Sequence, residues 1–214
     1  MRYINPIMNL DKNSIFSTNW RMFYCLIPFQ FDPAEEKYGL EIEKEIANRD
    51  FGISHETVHT YLNHFSNTGI LKKKNKGKQA FFSLNAQNAV PILSLLEQDR
   101  TNLFLRTTSQ AMELLEIIDL IDDCYFALLF GSVARMHQRE RSDIDILLVD
   151  GKVDLESLKK KEALYGKISI HSITKKELKE QWHKEPVYKG IWKDRIVLMN
   201  LDRFWEFILK EGKP

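Results

Sequence analysis

The sequence predicts an α+β protein of two domains, and three observations carry that expectation. Residues 14–84 read as helices followed by a basic hairpin, and residues 86–122 carry apolar residues at helical three- and four-residue spacing. From residue 124 onward strand patterns alternate with helical ones, which places an α/β sheet in the second half of the chain. A length of 214 residues suits either one large domain or two small ones, and a formal charge of +1 gives no global footprint for nucleic acid. Any such footprint must be local.

The N-terminal stretch "MRYINPIMNLDKNSIF" lacks the continuous apolar run of a secretory signal. The apolar segment "MFYCLIPFQF" that follows contains Pro28 and is too short to span a bilayer. Cys25 and Cys124 are the two cysteines, each flanked by apolar residues, so free buried thiols in a reducing compartment are expected. Together these features predict a soluble cytoplasmic protein with no membrane partner.

The segment from Glu41 reads as a helix, a tight turn at Gly52, and a second helix that Ser54 caps. Val58, Leu62 and Phe65 form its inward stripe, leaving His55, Glu56, His59, Thr60 and Asn63 pointing away from the core. Gly69 stands where a glycine ends a helix. Lys72, Lys73, Lys74, Lys76 and Lys78 then crowd into seven residues, with Gly77 placed to turn a hairpin. His55 and His59 share the spacing of a metal-binding pair, but no carboxylate or cysteine accompanies them at a recognised spacing. Polar groups facing DNA or solvent are the expectation there.

Further on, "PILSLLEQDRTNLFLR" and "AMELLEIIDLIDD" are helical, with Pro91 suited to a first turn and "TTSQ" at 107–110 a break. The Leu, Ile and Phe content between 92 and 121 exceeds what one helix face needs, which predicts a homodimer. Then come strand "CYFALLF", a short polar helix, strand "IDILLV", a helix at 154–165, and strand "KISIHSIT". Helix "KKELKEQW", a short strand "RIVLM" and a last helix "LDRFWEFIL" complete the chain.

Asp143 and Asp145 stand two apart at the head of "IDILLV", so they share one face of the strand. Adjacent carboxylates repel unless a cation lies between them, and a hard divalent ion such as Mg²⁺ suits such a pair. Upstream, a strand ends at Gly131-Ser132, where a glycine turn offers backbone N–H groups and a hydroxyl to phosphate oxygens. Ten residues separate Ser132 from Asp143.

Residues 14–86 resemble a winged helix-turn-helix domain. The resemblance implies a second helix that enters the DNA major groove and a lysine-rich wing on phosphates, with double-stranded DNA as partner. His55, Thr57, His59, Thr60, Asn63 and the five lysines become the DNA-contacting set. The Gly-Ser pair, the ten-residue spacing and "RSDIDILLV" resemble the polymerase β-type nucleotidyltransferases, in particular their minimal members, over residues 109–214. That likeness implies a mixed sheet and phosphates cradled by Gly131 and Ser132. Arg135 would be within reach of them, with Arg139 and Arg141 beside it, and Asp143 and Asp145 would hold Mg²⁺. The cofactor is then Mg²⁺ with a nucleoside triphosphate, ATP foremost. Two departures stand out. Met136 replaces a glycine found in many relatives, and "KISIHSIT" lacks the third carboxylate of active members. His171, alternating with Ser169 on that strand, is the residue there with base chemistry.

The expected organisation is therefore a DNA-binding domain at 1–86, a helical connector at 87–108 and a nucleotidyltransferase-like domain at 109–214. The expected function is a DNA-binding regulator that binds Mg²⁺ and nucleotide and transfers a nucleoside monophosphate to a protein or small-molecule hydroxyl. One alternative is an antitoxin-like enzyme that adds AMP to a partner toxin. The other is a regulator with an inactive transferase domain.

Overall fold

A computed structural model describes residues 20–33, 35–47, 53–135, 143–212 and 214. The fold is α+β, with one antiparallel and one mixed sheet. The chain divides into two compact units at Leu96/Glu97, and the last helix from Trp205 is grouped with the first unit. The expected turn at Gly52, and Met136, Arg139 and Arg141, lie outside the described residues.

In the first unit a 3₁₀ segment, Trp20–Leu26, leads into α1 (Ile27–Phe31), whose first turn accommodates Pro28. Next come β1 (Lys37–Tyr38), α2 (Gly39–Ala47), α3 (His55–Asn67), β2 (Leu71–Lys76), β3 (Gln79–Leu84) and α4 (Ala86–Thr107). Ser54 caps α3 as its sequence predicts, its Oγ accepting from the Thr57 amide at 3.2 Å. Val58, Leu62 and Phe65 are buried beneath it. Truncating Ser54 to Ala is expected to cost about 1 kcal/mol, read as a lower urea midpoint with an unchanged slope. The three strands order as β1-β3-β2, and β2 pairs with β3 from Leu71↔Leu84 to Lys76↔Gln79. That register leaves a two-residue turn in which Gly77 takes a φ of +62°, so glycine is the natural occupant.

The second unit opens with the remainder of α4, then α5 (Ala111–Ile118), β4 (Phe126–Phe130) and the single turn α6 (Gly131–Ala134). It continues through β5 (Ile144–Val149), α7 (Leu155–Tyr165), β6 (Ile168–Ile173), α8 (Lys175–Gln181), α9 (Pro186–Asp194), β7 (Ile196–Met199) and the first turn of α10 (Leu201–Glu211). Strand order is β6-β5-β4-β7. β4 lies antiparallel to both β5 and β7, whereas β5 and β6 run parallel with α7 as the crossover. Leu129, Ile144, Ile146, Leu148 and Ile168 share a buried cluster with Leu114, Ile117 and Leu158 of α5 and α7. Helix α9 has no counterpart among the elements expected from sequence, although Pro186 at its start and Tyr188, Ile191 and Trp192 on one face are the signals for it.

Within the apolar surplus between 92 and 121, Leu93, Leu96, Phe104, Leu114, Ile117 and Ile121 are buried in the chain, and Ile92, Leu95, Leu103, Leu105, Ile118 and Leu120 are partly buried. Met112 and Leu115 remain exposed. Cys25 and Cys124 are buried free thiols, and burial pushes Cys25 up to about 12, well away from thiolate chemistry. No described helix is long and apolar enough to cross a membrane.

Candidate functional site

Asp143 immediately precedes β5 and Asp145 is its second residue. Their face of the strand continues as Leu147 and Val149, both buried, while Ile144, Ile146 and Leu148 line the other side. The carboxylates thus stand at the N-terminal end of a strand that is apolar on both faces beyond them. Across the ladder Asp145 pairs with Phe130 on β4 and with Ser169 on β6.

Gly131 follows Phe130 with a φ of +79°, and a Cβ built there would stand 2.5 Å from Asp145 Oδ2. Only glycine allows that approach. Gly131→Ala is expected to displace the Asp145 carboxylate and to add about 1–2 kcal/mol of left-handed backbone strain. A lower melting temperature than that of the native chain would register both effects. Ser132 lies in the same turn, half-buried, with Val133 and Ala134 buried behind it.

Parallel pairing aligns Lys167, Ser169 and His171 on the aspartate side of β6. Lys167 Nζ is 3.3 Å from Asp143 Oδ2. Ser169 Oγ lies 3.1 Å from His171 Nε2, and the His171 ring packs against Phe130 with centroids 5.6 Å apart. The structure therefore gathers Gly131, Ser132, Asp143, Asp145 and His171 at one end of the sheet. Arg135 is turned to an ion pair with Asp194 of α9 at 2.7 Å, yet its charge still bears on Asp145. Lys167 and Asp194 are not among the site residues expected from sequence. Lys167 shares the parity of Ser169 and His171, but only the parallel register brings it to Asp143.

Burial, and then the charge of Asp143, raise the Asp145 carboxyl above its ordinary range, opposed by His171, Lys167 and Arg135. Half-buried oxygen donors that repel one another are the donor set a hard cation relieves, so the pair fits Mg²⁺. Among the described residues no cluster of three or more His, Cys, Asp or Glu side chains forms a fuller cage. A third set of oxygens would have to come from phosphate and solvent, the usual manner of Mg²⁺.

In the first unit the candidate DNA-contacting residues divide by what they touch. His55 places Nδ1 3.3 Å from Oε2 of the buried Glu43 on α2, while its ring stays largely exposed. Thr57 Oγ1 is 2.8 Å from Ser54 Oγ within the helix cap. Asn63 Nδ2 donates to the His59 carbonyl at 3.0 Å, and Asn63 Oδ1 accepts from Lys73 Nζ at 2.7 Å. These bonds tie the middle of α3 to the hairpin. Thr60 is exposed, its hydroxyl donating to the Glu56 carbonyl. Lys76 pairs with Glu36 and lies over the Phe81 ring at 4.4 Å. Lys72, Lys74 and Lys78 are exposed and carry no ion pair among the described residues.

A scan against protein-family models and searches of curated proteins and of solved structures find no match to this chain.

Proposed function

We propose that this chain is a DNA-binding regulator whose second unit binds a Mg²⁺–nucleoside triphosphate and transfers its nucleoside monophosphate to a hydroxyl. The observation that carries the proposal is the meeting of Asp143 and Asp145 with the Gly131–Ser132 turn and with His171, from three neighbouring strands. Bound at the two carboxylates, Mg²⁺ would supply neutralisation of the phosphate and leaving-group charge. Ser132 and the backbone of its turn donate to phosphate oxygens. In this mechanism His171 takes the proton of an attacking hydroxyl, a contribution of about 10²–10⁴ in rate. On this reading the fold is a nucleotidyltransferase-like sheet, built without the third carboxylate.

For the first unit we propose a winged helix-turn-helix, with α3 in the major groove of double-stranded DNA and the β2–β3 hairpin as its wing. His55, His59 and Thr60 present polar groups outward, and the lysines supply charge toward phosphates. Replacing Lys72, Lys74 and Lys78 by Ala is expected to weaken duplex binding irrespective of sequence. The slope of log affinity against log salt should flatten by about 0.9 for each phosphate that is no longer neutralised. Fluorescence anisotropy over a salt series measures it, and an unchanged slope rejects the wing as a DNA-binding element.

The transferase reading is tested by equilibrium dialysis of labelled ATP, GTP, CTP and UTP against the full chain, with Mg²⁺ and with EDTA. Mg²⁺-dependent retention of a triphosphate is the expected result. Equal retention with EDTA, or none, rejects it.

A further inference from the structure

A site built to transfer a nucleotide needs an acceptor, and the chain supplies a hydroxyl beside its own carboxylates. Ser169 is the direct ladder partner of Asp145, on the same side of the parallel β5–β6 pair. Its Oγ is 3.1 Å from His171 Nε2, which is hydrogen-bond range for a nucleophile and its base. Phe130 packs on the His171 ring from β4, which limits where that ring can turn. Ser169 is half-buried and His171 exposed, so the pair faces solvent at the edge strand and is not enclosed in the core. By contrast, Ser172 pairs with Leu148 and projects to the opposite side of the sheet.

We propose that Ser169 is a self-modification site that accepts the nucleoside monophosphate of a triphosphate held at Asp143 and Asp145. The inference rests on the nucleotide-binding reading above and names its acceptor. Ser169 Oγ forms a bond to the α-phosphorus as the bond from that phosphorus to the bridging oxygen of the β-phosphate breaks. The hydroxyl proton passes to His171 Nε2, and pyrophosphate leaves with the electron pair of the broken bond. The product is a serine phosphodiester. It sets a further negative charge beside two carboxylates that already repel, so the modification blocks the site that made it. One nucleotide per chain is the stoichiometry, and the reaction stops there.

The test is intact-mass spectrometry of the full chain after incubation with each triphosphate and Mg²⁺, followed by peptide mapping, with nucleotide binding measured in parallel by dialysis. The expected result is a single added nucleoside monophosphate on Ser169. It should be absent in Ser169→Ala, restored on the new hydroxyl in Ser169→Thr, and unaffected by Ser172→Ala. Formation in His171→Gln should slow by about 10²–10⁴. Binding of Mg²⁺–triphosphate with no label on Ser169, or label on another residue, overturns the inference and leaves the nucleotide-binding reading standing. Absence of Mg²⁺-dependent binding overturns both.

Discussion

Replacing Asp143 and Asp145 together by Asn is expected to abolish Mg²⁺-dependent triphosphate binding, while Asp145→Asn alone raises the melting temperature of the metal-free protein. The first effect follows from charge. At the effective dielectric of a protein surface two unit charges about 4 Å apart interact by about 4 kcal/mol, so each carboxylate lost removes roughly a thousandfold in cation affinity. The second follows from the direction in which Asp145 is shifted. Burial first, and the neighbouring Asp143 second, raise its carboxyl in the folded state. The folded chain therefore keeps that proton to higher pH than the unfolded chain does. Ionised Asp145 burdens the metal-free fold at neutral pH, and the burden fades as pH falls toward the ordinary carboxylate range. An amide removes the charge and the burden with it. Thermal unfolding in EDTA across a pH series should show the variant's advantage at neutral pH and its disappearance in acid. Added Mg²⁺ and triphosphate should stabilise the native chain and leave the double variant unmoved. A single variant that melts below the native chain in EDTA would mean that the carboxylate holds the fold together and is not a strained ligand.

Removing the carboxylate of Glu97 is expected to have the largest effect on stability, about 3–5 kcal/mol, because it strands a buried guanidinium. Glu97 and Arg195 are both fully buried, with Arg195 Nη2 3.8 Å from Glu97 Oε2 and Arg100 Nη1 3.1 Å from Glu97 Oε1. The Arg195 guanidinium stacks on Trp192 at 3.7 Å, with the Phe204 ring centroid 5.3 Å away. Its Nη1 donates to the Trp192 carbonyl at 2.6 Å. Burial pulls Arg195 below its ordinary range and the charge of Glu97 opposes that pull, so the carboxylate is what keeps the cation tolerable there. Glu97→Gln is the conservative test, since it keeps the shape and removes the charge. Urea unfolding should show a markedly lower midpoint for it. The double change Glu97→Leu with Arg195→Met should recover much of the loss, since a buried pair replaced whole by apolar groups is often neutral. A Glu97→Gln protein as stable as the native chain would show that the burial of Arg195 does not depend on the charge of Glu97.

The sequence alone determined what is local. The two-residue period placed Asp143 and Asp145 on one strand face, and the Gly-Ser pair marked where the preceding strand ends. Ser54 capped α3, the i, i+4, i+7 stripe set its buried side, and Gly77 turned the hairpin. Each rests on backbone geometry over a few residues, which the side chains of those residues dictate directly.

Tertiary structure decided what each of these residues meets. Nothing in "KISIHSIT" states that it pairs parallel to β5, and a one-residue slip in that register would turn Lys167, Ser169 and His171 to the other side of the sheet. The parallel ladder alone brings Ser169 beside Asp145 and Lys167 beside Asp143. The Glu43 partner of His55, the tie from Lys73 to Asn63 and the meeting of Glu97 with Arg195 likewise join residues from separate elements. Such pairings follow from how the elements pack their apolar faces, so they are fixed only once the whole core has formed.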